Sequence, residues 1–156
     1  MYTEPEIVLK DVNEVNKSYI IKAATGYRKG IWRTIQISAA ATFDGLSDAI
    51  LRAFDFDYDH LYAFYMHPKG KKYGVPTYNS PGCGYGSSSA DKQMLENFGF
   101  VEGTKFLYLY DFGDEWHFWM TFISEIDEIT PDAFTVKFRG ESPNQYPWHE
   151  DEWDEE

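Results

Sequence analysis

Residues 105–126 read KFLYLYDFGDEWHFWMTFISEI and contain the two longest strand candidates of the chain. Both runs are rich in aromatic and aliphatic residues, and a short polar stretch around Gly113 separates them. This pattern is typical of a β-hairpin. Gly113-Asp114 fits a two-residue type II′ turn, because the first position of that turn needs a positive φ, which glycine adopts without strain.

The turn determines which side chains share a face of the hairpin. The predicted cross-strand pairs are Asp111 with Trp116, Tyr110 with His117, and Leu109 with Phe118. One face then carries the apolar side chains of Leu107, Leu109, Trp116, Phe118, Met120 and Phe122, and we expect it to pack on a helix. The opposite face carries aromatic side chains with polar tips, namely Phe106, Tyr108, Tyr110, Phe112, His117, Trp119 and Thr121. We expect the loop at 76–100 or a second copy of the chain to cover that face, or a ligand or peptide to bind it. A slip of one residue would exchange the faces.

The remaining segments predict one helix and several further strands. Apolar residues recur at three- and four-residue spacing between Phe43 and Phe54, which predicts a helix, and Asp44 is placed to cap its first free amides. The other predicted elements are an opening hairpin of strands 19–25 and 31–37, a strand 60–66 with a short partner around 72–75, a loop 76–90, a helical turn 91–98 and a strand 133–138. Together they predict a single α+β domain over 17–140, in which a mixed or antiparallel sheet packs on one main helix. Residues 1–16 form an N-terminal segment and 141–156 an acidic tail.

The charge of the chain is strongly negative and unevenly distributed. There are 26 acidic and 14 basic residues among 156, which gives a net charge of −12. This excess argues against direct binding of nucleic acid, whose phosphates it repels. Residues 141–156 hold seven acidic residues and no Lys or Arg. The tail is either a solvated segment or a docking segment for a basic partner, with Trp148 and Trp153 as apolar anchors.

Two features bear on location. No apolar run approaches the roughly 20 residues that a membrane-spanning helix needs. The N-terminus lacks the basic start and apolar stretch of a secretion signal, and one cysteine cannot form an internal disulfide. We therefore expect a cytoplasmic protein without membrane contact.

Acidic and histidine residues near the hairpin turn are the candidates for chemistry. Asp111, Asp114 and His117, with His60, could supply ligands for a divalent metal. The predicted register points Asp111 and His117 to opposite faces, which favours ordinary roles instead, with Asp114 in the turn and His117 hydrogen-bonded to Tyr110. Asp59-His60 could act as a general acid and base or be a structural pair. The sequence predicts no cofactor and no committed metal site.

Four stretches of the chain resemble the plasmid pRiA open-reading-frame-three-like family. They are Ile31-Trp32-Arg33, the strand His60-Leu61-Tyr62-Ala63-Phe64, the hairpin from Phe106 through Tyr110-Asp111-Phe112-Gly113-Asp114-Glu115-Trp116, and the closing segment from Gly140 to Pro147. The resemblance covers about residues 17–148 and implies a small α+β domain of β-grasp-like form from bacteria or archaea. Some members carry an insertion-element passenger label with a resolvase-like name. A serine recombinase needs supporting arginines and a basic DNA-binding module, whereas this chain has four arginines and a negative charge.

These observations favour a non-enzymatic binding or adaptor domain with a basic protein as its partner. The aromatic hairpin face, with Tyr108, Tyr110, His117 and Trp119, and the tail tryptophans Trp148 and Trp153 are its predicted contact residues, and a homodimer is compatible with that face. Two alternatives stay open. One is a metal-assisted hydrolase that uses Asp59, His60, Asp111, Asp114 and His117, and the other is an acidic protein that mimics DNA.

Overall fold

A computed structural model describes residues 9–12, 15–68, 74–82 and 88–146. The described chain is dominated by one eight-stranded sheet, with 38% of the residues in strands and 13% in helices. The predicted α+β class and its β-grasp-like variant are therefore wrong. The reason is that two short strands lie in the segment predicted as a loop and widen the sheet, while the one described α-helix covers only part of a face.

The elements follow one another with short connections. In chain order they are β1 (Ser18–Thr25), β2 (Trp32–Ser38), α1 (Phe43–Ala53), β3 (Tyr62–Tyr65), β4 (Tyr78–Asn79), β5 (Ser88–Ser89), two 3-10 turns (Ala90–Lys92 and Leu95–Asn97), β6 (Lys105–Tyr110), β7 (Trp116–Ile126) and β8 (Phe134–Arg139). The sheet order is β5-β4-β3-β6-β7-β1-β2-β8, and all neighbours are antiparallel except the parallel pair β4 and β5. The hairpin β6-β7 is thus the centre of the sheet.

The hairpin exists, but its predicted register is wrong by one residue. Tyr110 pairs with Trp116 and Tyr108 with Phe118. The connection has five residues instead of two, and Asp111 and Glu115 adopt positive φ angles of 64° and 53°. Because the loop length changed from even to odd, every side chain of β6 exchanged faces relative to β7.

The core face of the hairpin therefore combines residues that the sequence placed on opposite sides. It carries Phe106, Tyr108, Tyr110, Trp116, Phe118, Met120 and Phe122, all buried against the rest of the core. Leu107 and Leu109 lie on the opposite face and are themselves buried. The predicted separation into an apolar underside and an exposed tyrosine face is not what the chain adopts.

Helix α1 lies against this core face, close to its predicted position. Leu46 and Ile50 are fully buried, and the ring of Phe54, just after the helix, lies 4.9 Å from that of Phe118. The N-cap is Thr42, not Asp44 as predicted, because the Thr42 Oγ1 accepts the Gly45 N–H at 3.0 Å. Asp44 is thereby left to interact elsewhere.

The remaining predictions have mixed outcomes. The opening hairpin and the strand over 133–138 are confirmed. The predicted partner strand around 72–75 lies partly outside the described residues, because 69–73 are not among them; within the described chain β3 pairs with β4 and β6. The helical turn over 91–98 is two 3-10 turns. In the described part of the chain, none of the helices has the length and apolar character needed to cross a membrane.

Candidate functional site

A cleft of about 380 Å³ opens between helix α1 and the segment that leads into β3. The cleft is lined by Asp44, Ser47, Asp48, Leu51, Tyr58, Asp59, His60, Leu61, Tyr62, Ser80, Pro81 and Tyr110. Three carboxylates and no Lys or Arg contribute to this lining.

The helix supplies two of these carboxylates from one face. Asp44 and Asp48 are four residues apart, so both side chains point to the same side of α1. The Tyr62 hydroxyl donates a hydrogen bond to Asp44 Oδ1. Burial, followed by that bond, raises the pKa of Tyr62 well above its ordinary range. Desolvation, followed by the charge of Asp44, raises the pKa of Asp48. The cleft therefore concentrates negative charge, which the nearby Arg52 offsets only in part at Asp48.

The inner wall of the cleft includes the buried residues Ser47 and Tyr110, whose hydroxyl groups are hydrogen-bonded. Tyr108 and Ser47 hydroxyls lie 2.6 Å apart between the sheet and the helix. The Tyr110 hydroxyl donates to the carbonyl of Asp57 and accepts the His60 N–H at 3.2 Å. Burial raises the pKa of Tyr110 to about 12. These bonds hold the 57–60 segment against the sheet, so the mouth of the cleft has a fixed shape.

His60 lies at the rim with three polar neighbours. Its Nε2 is 3.0 Å from the Tyr146 hydroxyl and 3.4 Å from Asp59 Oδ1, and its Nδ1 is 3.6 Å from Asp111 Oδ2. The last distance is an electrostatic contact, because it is too long for a hydrogen bond. The structure thus brings together three of the predicted catalytic candidates, namely Asp59, His60 and Asp111.

The Asp111 carboxylate is engaged mainly by its own turn. Its Oδ1 accepts the N–H groups of Gly113 at 3.1 Å and Asp114 at 3.3 Å. Such bonds are what an aspartate supplies when it closes a turn. Asp111 is 8% exposed, so little of it is open to a substrate.

The other predicted candidates do not join this group. His117 pairs with Leu109 on the face of the sheet that points away from α1, and the predicted His117–Tyr110 hydrogen bond is wrong because the Tyr110 hydroxyl lies on the core side. Asp114 is an exposed turn residue. Across residues 9–12, 15–68, 74–82 and 88–146, no three His, Cys, Asp or Glu side chains converge as a metal-binding group.

The predicted contact residues are also divided. Tyr108 and Tyr110 are buried on the core side of the sheet and do not lie on an outer face, and the one-residue register shift is the cause. Trp119 is 43% exposed and lies with half-buried His117 on the opposite face. Trp148 and Trp153 lie outside the described residues.

Sequence reasoning identified Asp59 but missed the other two carboxylates of the cleft, Asp44 and Asp48. Asp44 had been assigned to the helix cap, although its spacing from Asp48 places both on one helical face. That spacing was a usable signal. The contact of Tyr62 with Asp44 could not be predicted from sequence, because it depends on how β3 packs against the helix.

Comparisons with known proteins support the architecture. A family model described as plasmid pRiA4b ORF-3-like protein matches residues 21–145. The structure is similar to the crystal structure of a protein of unknown function from Methanosarcina mazei Go1, with a TM-score of 0.71, 24% sequence identity, and coverage of 88% of this chain and 79% of that one. At that identity the likeness shows the fold alone. A search of curated proteins found no match.

Proposed function

This chain belongs to the plasmid pRiA4b ORF-3-like family, and we propose that it is a non-enzymatic binding or adaptor domain whose acidic cleft accepts a cationic group of a basic partner. The observation that carries the proposal is the lining of the cleft, which has three carboxylates and one histidine, His60, but no Lys or Arg. The partner's cation would be a Lys or Arg side chain.

Charge complementarity supports a cationic occupant. Like charges held close together repel one another, and a bound cation relieves that repulsion. Desolvation is the largest cause of the raised pKa of Asp48; the charge of Asp44 raises it further, and the charge of Arg52 lowers it in part. A cation in the cleft would favour the ionised form of Asp48. Its attraction to the carboxylates of Asp44 and Asp48 would then contribute to the free energy of binding.

Aromatic rings at the mouth support the same occupant. Tyr58 lines the cleft and is 54% exposed. An ammonium or guanidinium group is attracted to the face of such a ring. A planar guanidinium can donate hydrogen bonds to the carboxylates and stack its flat face on the accessible ring.

The size of the cleft is compatible with one side chain. A volume of about 380 Å³ is at the lower end of ligand sites. It would hold the head group of an Arg or Lys, while the rest of a partner contacts the rim. The DNA-mimicry alternative stays a prediction.

Titration calorimetry with the full chain and an amidated tetra-arginine peptide tests the proposal, with a tetra-glutamate peptide as the opposite-charge probe. We expect the arginine peptide to bind, more weakly as salt is added, and Asp48→Asn to weaken binding by about fivefold, the size of one exposed charge contact of roughly 1 kcal/mol. Asp127→Asn is the matched control, because Asp127 is exposed and outside the cleft.

Two results would contradict the cleft as the site. One is an equal effect of both Asp variants. The other is loss of binding on removal of residues 147–156 with no effect of Asp48→Asn, which would move the site to the acidic tail.

A further inference from the structure

The face of the sheet that points away from α1 carries two rows of side chains across neighbouring strands. Residues that pair directly share a face. The first row consists of Arg139, Trp32, Ala24 and Trp119, and the second of Lys137, Thr34, Lys22, Thr121 and Lys105. Their chain neighbours Phe118, Ala23 and Arg33 are buried on the helix side, so both rows lie on the other side.

These rows are basic although the chain is acidic. They hold four cations and no carboxylate, against a net charge of −12 for the chain. Lys105, Lys137 and Arg139 are exposed, and Lys22 is half-buried. The Lys22 Nζ lies 5.0 Å from the centre of the Trp32 ring. We call Lys22, Lys105, Lys137, Arg139, Trp32 and Trp119 the lysine–tryptophan face.

The two tryptophans are separated by small side chains. Strand β1 runs between them, so they are two strand spacings apart, roughly 10 Å. Ala24 lies between them in the row, and Gly26 follows two residues later on the same face. A Cβ at Gly26 would lie 3.5 Å from the Trp119 Nε1, so the indole lies beside the glycine. Trp119 is 43% exposed, which leaves part of its ring open to a planar partner.

We propose that the lysine–tryptophan face binds single-stranded nucleic acid, with bases stacked on Trp119 and Trp32 and phosphates beside the four cations. Aromatic rings on an open sheet flanked by basic side chains are the features that bind unpaired bases without reading their sequence. A duplex buries its base faces, so it offers nothing for the indoles to stack on. This site is on the side of the sheet opposite to the acidic cleft and is independent of it.

Charge arguments favour this occupant despite the acidic sequence. Electrostatic interactions beyond roughly 8–10 Å are largely screened at physiological salt, so a bound strand senses mainly the local cations. The distant acidic residues still oppose approach at low salt, which sets an expected dissociation constant in the micromolar range rather than lower. The net negative charge of the chain argues against nucleic-acid binding in general, but the local charge of this face is positive.

Fluorescence anisotropy with fluorescein-labelled oligothymidine of about 20 nucleotides, at about 25 mM NaCl and then at rising salt, tests the proposal on the full chain. We expect Trp119→Ala to weaken binding by roughly tenfold, as loss of one stacked base does. The double variant Lys137→Gln with Arg139→Gln should lower the slope of log affinity against log salt by about 2. The controls are Val101→Ala and Lys92→Gln, two exposed positions that belong to neither row.

Three results would overturn the proposal. The first is no rise in anisotropy with about 100 µM protein at low salt, a hundredfold above the micromolar range expected. The second is an equal loss in the controls. The third is competition by polyglutamate as strong as by oligothymidine of equal charge, which would identify an acidic protein surface as the partner. Because Lys137 and Arg139 are exposed on the edge strand β8, their double variant keeps the test valid if Trp119→Ala lowers stability.

Discussion

The Tyr108 hydroxyl lies 2.6 Å from the Ser47 Oγ, between the central strand of the sheet and the only described α-helix. This contact requires the observed hairpin register, because the predicted one would point Tyr108 away from the helix. Burial raises the pKa of Tyr108 well above its ordinary value. The pair thus links helix α1 to the sheet through a hydrogen bond that water does not reach.

We expect Tyr108→Phe to lower the free energy of unfolding by about 1–2 kcal/mol, because Ser47 is then left buried without its partner. Ser47→Ala should have a similar effect. The double variant should cost less than the sum by about 1 kcal/mol, since both changes remove the same bond. Urea denaturation measures all three.

Tyr19→Phe is the control for this cycle. Tyr19 is buried in strand β1, where its ring packs against Phe100 and Phe122, so its effect should add to that of Ser47→Ala. Strict additivity for the Tyr108 pair as well would mean that the hydroxyls do not interact.

Substitutions of Asp111 should show how much its carboxylate and its backbone conformation each contribute to the stability of the turn. The residue combines a positive φ of 64° with two backbone hydrogen bonds to its carboxylate. We expect Asp111→Ala to destabilise the fold by about 2 kcal/mol, because alanine loses the bonds and tolerates this conformation poorly. Asp111→Asn should cost least, and Asp111→Gly should lie between them.

The matched control is Asp114→Ala, which removes an exposed carboxylate from the same turn and should change stability by less than about 0.5 kcal/mol. Thermal denaturation gives the order. If Asp111→Gly is as damaging as Asp111→Ala, the backbone conformation is not part of the cost.

The elements were more predictable from sequence than their register. Helix α1 follows from the spacing of Leu46 and Ile50, which are buried as that spacing requires. The register depends on the conformation of five loop residues, in which Asp111 and Glu115, not Gly113, adopt positive φ. Non-glycine residues rarely adopt positive φ. A prediction that places the positive φ at Gly113 therefore shifts the pairing of the two strands by one residue.

The candidate sites were predictable only in part. Asp44 and Asp48 share a helix face by spacing, and Trp119 was expected on the hairpin face away from the helix, where it lies with 43% of its surface exposed. The cleft itself depends on the approach of Tyr62 to Asp44, and the basic rows depend on the strand order. Neither the cleft nor the basic rows can therefore be predicted from a single segment of the chain.

Buried tyrosines should make the fold sensitive to alkali. Burial raises the pKa of Tyr108 and Tyr62 well above the usual range and that of Tyr110 to about 12. A folded-state pKa above the unfolded value means that the folded chain holds its proton more tightly. The stabilisation is therefore complete below about pH 10 and is lost as the pH rises from there through 12.

Urea titrations at intervals above pH 9 should show stability falling by about 1.4 kcal/mol per pH unit for each such tyrosine. Tyr110→Phe should make the fall less steep, whereas Tyr27→Phe, which removes the hydroxyl of a half-exposed turn residue, should leave the steepness unchanged. Stability that stays level up to pH 12 would contradict the assignment.

Arg33 should resist even its closest replacement. Arg33 is 5% exposed, and its guanidinium donates to the carbonyls of Ala53, Trp32 and Arg139 at 2.9, 2.9 and 3.1 Å. Burial lowers the pKa of Arg33, and among the described residues no carboxylate pairs with it. Arg33→Lys should cost about 2–3 kcal/mol, because one ammonium cannot reach acceptors in several directions.

Chemical denaturation of Arg33→Lys beside Arg52→Lys measures this difference. Arg52 is exposed on the last turn of α1, so its variant should be nearly neutral. Equal effects would mean that the geometry of the Arg33 hydrogen bonds contributes little.

Alanine substitutions of Gly140 and Gly103 allow the free-energy cost of a strained backbone conformation to be measured separately from the cost of a close contact. Both have positive φ, 81° and 85°. A Cβ at Gly140 would lie 3.0 Å from the Ile31 Cγ1 and 3.2 Å from the Gly30 carbonyl oxygen, whereas at Gly103 no atom lies within 4 Å. Gly103→Ala should therefore cost about 1 kcal/mol, the conformational penalty alone. Gly140→Ala should cost about 1–3 kcal/mol more, because the backbone oxygen cannot move aside as a flexible side chain can. Equal unfolding free energies for the two variants would show that the end of β8 relaxes away from the loop at Gly30 and is not held there by close packing.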